Sequence, residues 1–444
     1  MGIDAAGPGL AGAPGAHRIR RPAVARAAGG RGARPSLAFV NGQTHPFYPR
    51  QAAGASMPFH ITSDQDLVRK TVRELVEEVR GKTAEHIDRE RAWPGEQIRK
   101  LAGMGLTGML VPAELGGPGT DTVSFVLALE EIARASGVLA LAVNNANALG
   151  SYPVATHAGD EVRASVVPAL LTGEKLAAWA LSEPGAGSDW TGVRTVAKKG
   201  DDGYTLDGVK SFVTGAPHAA WFVVFAAVKR GADASSARVP GTEGLTALLV
   251  PSDAPGVTVA QPERTMTMRG SDMAQVFLKG VRVPESHRLG AEGDGLAIAT
   301  QANQLAALGG AAIAVGLMQA ALEDSAAYAN QREQFRTPLK GFQAIQFLVA
   351  DLEVELRAAR LLTYAAADKR DRGEDAGAEI AAAKLFAGEV SKHVTQKALR
   401  IHGGTGFMRD LPLERYNRDA RSLSIYAGTA EMQRAAIAAK TLGL

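Results

Sequence analysis

Residues 181–189 read Leu-Ser-Glu-Pro-Gly-Ala-Gly-Ser-Asp, and the character of the chain changes where they begin. Before this stretch, apolar residues such as Val68, Val72 and Val76 recur at helical spacing, with Arg and Glu between them. After it, short runs rich in Val, Phe, Leu and Thr are separated by Gly, Pro and Asp. The first pattern is typical of amphipathic helices and the second of β-strands joined by turns. The stretch therefore marks the junction of a helical domain and a β domain.

Ala- and Leu-rich helical patterns return near residue 293 and continue to the end of the chain. Their uncharged run 296–322 is long enough to span a bilayer, but it contains Gln and Asn and lacks flanking aromatic residues. We therefore expect it to be a buried helix of a bundle. The predicted fold class is an α+β multidomain protein. Its domains are an N-terminal α-helical domain at 57–178, a middle β-barrel or β-sandwich domain at 179–292, and a C-terminal four-helix-bundle domain at 293–444.

The composition is ordinary for a folded enzyme, with 444 residues of which 46% are hydrophobic and 21% charged. The chain has no cysteine, which excludes disulfides, zinc-thiolate sites and cysteine nucleophiles. Its nine histidines show no paired metal-ligand spacing, so we expect no metal site. A reducing compartment fits this composition, and we expect a cytoplasmic protein with no membrane partner.

Residues 1–56 differ from the rest of the chain, because they are rich in Ala, Gly and Pro and carry seven Arg against the single Asp4. They contribute +6 to a net charge of +3, so the other residues carry about −3, which does not favour a nucleic-acid partner. We predict a disordered extension. An organellar transit peptide is an alternative, although the segment lacks an amphipathic helix. An upstream start site is another, because Met57 directly precedes the first helical pattern.

Taken alone, residues 181–189 predict a strand that opens into a glycine-permissive loop with exposed hydroxyl and N–H groups. Such a loop can hold a flat polar ring or a phosphate, and a plain connecting turn is an equally good interpretation. Further motifs follow in order, and together they resemble those of the acyl-CoA dehydrogenase family. They are Lys210-Ser-Phe-Val-Thr-Gly215, Met268-Arg-Gly-Ser-Asp272, Arg332-Glu-Gln-Phe335 with Pro338-Leu339 and Phe342-Gln343, His402-Gly-Gly-Thr-Gly406, and Ile425-Tyr-Ala-Gly-Thr429.

The resemblance covers roughly residues 60–440 and implies the family fold, bound FAD and a homotetramer. It implies that hydroxyl groups of Ser182 and Thr214 reach the flavin edge while Phe212 covers a ring face. It also implies that Arg332 and Gln343 hold the pyrophosphate and adenosine, partly across a subunit boundary. The full implied cofactor set is Trp179, Leu181, Ser182, Ser188, Phe212, Thr214, Arg332, Phe335, Gln343, Arg400, Gly403, Gly404, Thr429 and Glu431. Ser188 and Gly428 are implied to contact substrate.

The sequence departs from the family at the catalytic base. The usual Glu, which removes the α-proton of the acyl thioester, is replaced by Ala427, although the N–H of this residue can still polarise the thioester carbonyl. A subset of the family places its base at a position that corresponds to Ala306, and the arginine that usually follows corresponds to Ala307. Both base positions are therefore empty, and a lost general base typically costs about 10²- to 10⁴-fold in rate. The catalytic base is unknown at this point.

Two arginines also depart from the family pattern. Arg336 stands where glycine is usual, and Arg400 stands where the family commonly has Gln near the adenosine. Arg400 can add a charge-assisted contact to a phosphate. A solvated surface arginine is the alternative interpretation for both.

Three functions are compatible with these residues. The first is an FAD-dependent oxidoreductase acting on the CH–CH group of an acyl thioester, carried by CoA or by a carrier protein, with an electron-transfer flavoprotein as acceptor. The second is a relative without a base, such as a reduced-flavin monooxygenase or a desulfinase-like lyase. The third is a flavin-binding protein with a regulatory or scaffolding role. The first predicts that the flavin is reduced by an acyl thioester, and the others do not.

Overall fold

The computed structural model describes residues 60–229 and 244–444. The predictions made for residues 1–56 and Met57 lie outside the described residues. The described chain begins with seven α-helices. They are α1 (Ser63–Glu77), α2 (Lys82–Glu90), α3 (Gly95–Ala102), α4 (Thr122–Ala135), α5 (Gly137–Asn144), α6 (Tyr152–His157) and α7 (Asp160–Leu171).

Side-chain caps fix the starts of several of these helices. Thr62 and Gln65 form a reciprocal capping box at the start of α1, and the Asp121 side chain accepts a hydrogen bond from the N–H of Ser124 at the start of α4. Every residue of α4 is buried, so this helix is the centre of the N-terminal domain. α5 continues into a π-helical turn at Asn145–Ser151, and such turns are frequent at functional sites.

The middle domain contains the strands β1 (Ala177–Ala180), β2 (Val196–Gly200), β3 (Gly203–Val213), β4 (Trp221–Lys229), β5 (Leu245–Pro251), β6 (Val257–Val259), β7 (Ala274–Pro284) and β8 (Arg288–Leu289). They form one sheet in which the strand order is β6-β7-β3-β2-β4-β5-β8, with β1 parallel to β4. Alternate residues of β4 bury opposite faces of the sheet. Phe222 and Val224 belong to the core of the β domain, whereas Val223 and Phe225 pack with α6 and α7.

The C-terminal domain contains α8 (Gly295–Gln331), α9 (Gln343–Asp371), α10 (Gly377–His402), α11 (Leu413–Ser422) and α12 (Ala430–Leu442), with a short hairpin of β9 (Glu333–Gln334) and β10 (Thr337–Pro338). Among the described residues, α8 is the one helix long and apolar enough to cross a membrane, but 89% of its apolar window is buried inside the fold. It packs closely on α4, because a Cβ atom added at Gly316 would lie 2.3 Å from the Glu130 carbonyl oxygen. The predicted α+β multidomain fold class is confirmed.

Candidate active site

Two loops of the middle domain lie side by side at one edge of the sheet. β1 leads into the loop that begins at Leu181, and β3 carries Phe212 near its end, just before Thr214. The N–H of Ser211 donates to the Ser182 carbonyl at 2.9 Å, which joins the end of β3 to the loop after β1. The structure therefore brings together the residues implied to border the flavin ring.

A buried ion pair lies beneath these loops. Lys210 Nζ donates to Glu183 Oε1 at 2.7 Å and to the Leu181 carbonyl at 3.2 Å. The Glu183 carboxylate also accepts from the Thr195 hydroxyl at 2.6 Å and from the Arg194 N–H at 2.7 Å. Both side chains of the pair are almost fully buried, at 0% and 5% exposed. The pair thus links β3 to the loop after β1 through contacts that water does not reach.

Opposing effects set the ionisation of this pair. Burial lowers the pKa of Lys210 to about 8, although Glu183 offsets part of that shift. Burial alone would raise the pKa of Glu183, but Lys210 and Thr195 outweigh it, so the pKa of Glu183 is lowered. Both groups are therefore charged at neutral pH, and each compensates the other.

The surface next to the Ser211–Ser182 hydrogen bond carries an exposed aromatic ring and hydroxyl groups that have no hydrogen-bond partner within the described residues. Phe212 is 67% exposed and has a left-handed backbone, with φ of 59°. The hydroxyls of Ser182 and Thr214 form no hydrogen bond within the described residues, and both residues are half-buried. Trp179 packs on Phe225 with ring centroids 4.6 Å apart. Free hydroxyls beside an open aromatic face fit the polar edge and the face of a flavin ring.

A second group of implied cofactor residues lies at one end of the C-terminal bundle. It consists of Arg332, Phe335, Gln343, Arg400, Gly403 and Gly404, and all six are exposed. Tyr328 connects the residues near the β9–β10 hairpin with those at the end of α10. It precedes the hairpin in the chain, and its ring stacks on the His402 ring, with ring centroids 4.3 Å apart. No hydrogen bond, ion pair or ring contact among the described residues joins this group to Ser182 or Thr214. Within one chain, these six residues therefore make no such contact with the residues implied to border the flavin ring, and Thr429 and Glu431 lie on a further segment at the start of α12.

The loop that follows α11 carries Ala427, whose backbone is left-handed with φ of 53°. The Ala427 carbonyl accepts from Asn303 Nδ2 at 3.4 Å and from Gln433 Nε2 at 3.3 Å. The Tyr426 hydroxyl donates to Asn145 Oδ1 at 2.6 Å. Amide groups of α8, α12 and the π-helical turn therefore hold the loop from three directions.

The end of this loop starts the last helix. The Thr429 hydroxyl accepts from the N–H of Met432 and caps α12, and Glu431 lies exposed in the first turn. Hydrogen bonds from its own N–H and from Thr429 lower the pKa of Glu431. The N–H of Ala427 has no hydrogen-bond partner within the described residues, so it is available to an oxygen of a ligand.

No proton acceptor that ionises near neutral pH contacts Ala427 within the described residues. The polar side chains in contact with its carbonyl are the amides of Asn303 and Gln433. Ala306 is fully buried, and its carbonyl accepts from Asn144 Nδ2 at 3.0 Å. Burial raises the pKa of the Tyr426 phenol. Within the described part of the chain, no carboxylate forms a hydrogen bond with Ala427 or Ala306.

The groups that hold this loop were not predicted from the sequence; they are Asn144, Asn145, Asn303, Gln433 and Lys384. Single amides at helical positions give no recognisable pattern. The lysine does leave a signal, because it is the one charged residue in the run 380–388. A lone cation in such an apolar run indicates a buried lysine.

Comparison with known proteins identifies the family. The chain matches the models of the acyl-CoA dehydrogenase N-terminal domain at residues 62–174, middle domain at 178–281 and C-terminal domain at 293–442. It therefore belongs to the acyl-CoA dehydrogenase family, which confirms the resemblance seen in its motifs. As a member of this family, the protein is an FAD-dependent oxidoreductase.

Relatives of known name extend this result. A 3-(aryl)acrylate reductase of Clostridium sporogenes is 39% identical over 382 residues, which is 86% of this chain and 99% of that protein. The solved structure of butyryl-CoA dehydrogenase from Megasphaera elsdenii is 34% identical with a TM-score of 0.82, covering 87% of this chain and 100% of that one. A structure from work on the electron-transferring flavoprotein of Acidaminococcus fermentans is 32% identical with the same TM-score of 0.82, covering 87% and 100%. These relatives do not support the monooxygenase or lyase alternative.

Proposed function

We propose that this protein is an FAD-dependent oxidoreductase that acts on the CH–CH bond of an acyl thioester. The observation that carries the proposal is the unpartnered N–H of Ala427 on a loop held by Asn303 and Gln433. Such an N–H is suited to a carbonyl oxygen on which negative charge develops. Relatives named butyryl-CoA dehydrogenase and 3-(aryl)acrylate reductase support a reaction at a carbon–carbon bond next to a carbonyl.

Bound FAD would supply the acceptor for a hydride from the substrate. The hydroxyls of Ser182 and Thr214 would hold the edge of its ring, and Phe212 would cover one face. The N–H of Ala427 would donate to the thioester carbonyl and so make the neighbouring C–H more acidic. Because no carboxylate forms a hydrogen bond with Ala427 within the described residues, we expect removal of the α-proton, and so the reaction, to be slow.

Anaerobic titration of the FAD-loaded protein with saturated acyl-CoAs of several chain lengths tests this function. We expect slow bleaching of the flavin absorption with a chain of matching length. A protein that retains FAD but shows no spectral response to any thioester would contradict the proposal and favour a binding role without turnover.

We also propose that the FAD site is completed by a second copy of the chain within a homotetramer. The implied FAD residues at the end of the bundle make no direct contact with Ser182 or Thr214 within the described residues of one chain, and exposed apolar residues lie on the same helices and loops. Phe335 is 90% exposed, Phe407 83%, Val354 66% and Phe347 61%. Exposed apolar residues of this size in one region are typical of interfaces.

Arg332→Ala tests this arrangement. We expect the substitution to lower both FAD content and the mass measured by light scattering, because Arg332 is implied to reach the cofactor of the neighbouring copy. Arg372→Ala is the matched control, since Arg372 is an exposed arginine paired with Asp368 and Glu374. Unchanged FAD content and unchanged mass for Arg332→Ala would contradict the arrangement.

The electron acceptor is proposed to be an electron-transfer flavoprotein. The similarity to a structure from work on the electron-transferring flavoprotein of Acidaminococcus fermentans supports this partner. Reoxidation of the reduced protein by purified electron-transfer flavoprotein, measured against reoxidation by oxygen, is the test. A cytoplasmic location stays a prediction.

A further inference from the structure

Lys384 lies beneath the loop that carries Ala427. It belongs to α10, is 2% exposed, and its Nζ donates to the Leu423 carbonyl, where the loop begins. Gly388 stands one turn further along α10, and a Cβ atom added there would lie 2.9 Å from the same carbonyl oxygen. The Leu423 carbonyl therefore fits into a space on α10 that is bounded by Lys384 and left open by a glycine.

Lys384 also lies next to the middle of the loop. A Cβ atom added at Gly310 of α8 would lie 3.0 Å from the Lys384 Cε and 3.4 Å from the Tyr426 ring. The lysine side chain and the tyrosine ring thus share one narrow space against the α8 backbone. Lys384 therefore contacts the start of the loop through Leu423 and lies near its middle beside Tyr426.

The charge of Lys384 has no counter-ion among the described residues. Burial lowers its pKa to about 7, and no Asp or Glu opposes that shift. The nearby Tyr426 ring belongs to a phenol whose hydroxyl bonds Asn144 and Asn145 and whose pKa is raised by burial. Lys384 is therefore the group in contact with the loop that changes charge near neutral pH.

We propose that Lys384 is a positioning residue that orders the loop from Leu423 to Ala427 and so places the Ala427 N–H for a thioester carbonyl. The other contacts that hold this loop come from neutral amides and a phenol. This inference rests on the proposed function for its thioester, but the ordering of the loop does not require it.

The proton on Lys384 controls the strength of this contact. An ammonium donates a stronger hydrogen bond to a carbonyl than a neutral amine does. Loss of the proton weakens the contact with Leu423, so the loop becomes less ordered as pH rises through about 7. A purely structural lysine with an ordinary pKa would show no such change in this range.

Hydrogen exchange followed by mass spectrometry measures the effect in the FAD-loaded protein. We expect Lys384→Met to speed exchange in a peptide covering residues 423–429 by about tenfold below the pKa of Lys384, which is the effect of losing one hydrogen bond to a charged group. Above that pKa the difference from the wild type should shrink. Lys440→Met is the matched control, because Lys440 is 63% exposed and pairs with Asp375 at the surface.

Binding of enoyl-CoAs, followed by the shift of the flavin spectrum, gives a second readout. Lys384→Met should bind about tenfold more weakly with unchanged FAD content, for the same loss of one hydrogen bond to a charged group. Exchange equal to that of the wild type at every pH would overturn the inference. If the variant loses FAD, the test uses the wild type alone. Hydrogen exchange at residues 423–429 must then become faster, relative to the rest of the chain, as pH rises through about 7. If the loop responds but no thioester binds the wild type, the proposed function fails and the ordering role of Lys384 stands.

Discussion

Lys210 and Lys384 are both buried lysines beneath loops of the candidate site, but they differ in what surrounds them. Lys210 has the Glu183 carboxylate at 2.7 Å. Lys384 has a backbone carbonyl and no carboxylate. The loops implied to border the flavin are therefore held by a lysine whose charge is compensated by a carboxylate. The Ala427 loop is held by a lysine whose charge is compensated by no carboxylate of the described residues. The difference predicts that the first region depends on an intact pair and that the second depends on pH.

Breaking the compensated pair is expected to have the largest effect. Glu183→Ala leaves Lys210 buried without its partner, which typically costs about 3–5 kcal/mol of unfolding free energy. Denaturant unfolding measures this cost, and FAD content reports on the two loops that the pair joins. The double variant Glu183→Gln with Lys210→Met should recover part of the loss. Equal stability of Glu183→Ala and the wild type would show that the pair does not hold these loops.

Removing a neutral contact of the Ala427 loop is expected to have a smaller effect. Tyr426→Phe deletes the hydrogen bond to the half-buried Asn145 amide, at a cost of about 0.5–1.5 kcal/mol. Neither group titrates near neutral pH, so this cost should be the same at pH values below and above 7. A cost that varies over this range would mean that the neutral and charged contacts of the loop are coupled.

The uncompensated lysine predicts a specific pH dependence. The folded-state pKa of Lys384, about 7, lies below the unfolded value of about 10.4, so the unfolded state binds more protons between these values. This lysine therefore makes the unfolding free energy rise with pH across that window, by at most about 1.4 kcal/mol per pH unit. The unfolding free energy of the wild type minus that of Lys384→Met should therefore rise with pH across this window. A difference that does not change with pH would contradict an uncompensated Lys384.

At neutral pH the same variant should be as stable as the wild type or more stable, because it no longer buries a charge. That expectation does not conflict with a less ordered loop. Global unfolding reports on the whole domain, whereas hydrogen exchange at 423–429 reports on local opening.

Removal of the N-terminal extension is expected to have the smallest effect. A chain that starts at Met57 should keep its FAD content and melting temperature, because the matched family domains begin at residue 62. Thermal unfolding and flavin absorbance of the two chains provide the measurement. A large drop in either would show that residues 1–56 pack on the domains.

The sequence predicted those parts of the molecule that have a repeated pattern. The helical spacing of Val68, Val72 and Val76 corresponds to α1 at Ser63–Glu77, and the uncharged run 296–322 lies in the buried helix α8. The end of α1 has no such signal in the spacing, because the chain turns after Glu77 and Gly81 adopts φ of 96°. Local turns of this kind override helical spacing.

The contacts beneath the loops were not predictable in the same way. The pairing of Lys210 with Glu183 joins residues 27 positions apart, and the contact of Lys384 with Leu423 joins residues 39 positions apart. Neither follows from local spacing, because each depends on how β1 packs beside β3 and how α11 ends over α10. The empty base position at Ala427, in contrast, is visible from one motif.

The central claim is that the thioester loop is intact and lacks only a proton acceptor. Ala427→Glu places a carboxylate on that loop, and flavin reduction by acyl-CoAs in anaerobic stopped flow measures the result. We expect reduction to become faster by on the order of 10²-fold or more for a chain of matching length, because a positioned general base contributes about that much. Ala427→Gln, which has the same size without the charge, should stay at the wild-type rate. If no acyl-CoA reduces Ala427→Glu faster than both the wild type and Ala427→Gln, the loop does not present a thioester for proton removal and the account is wrong.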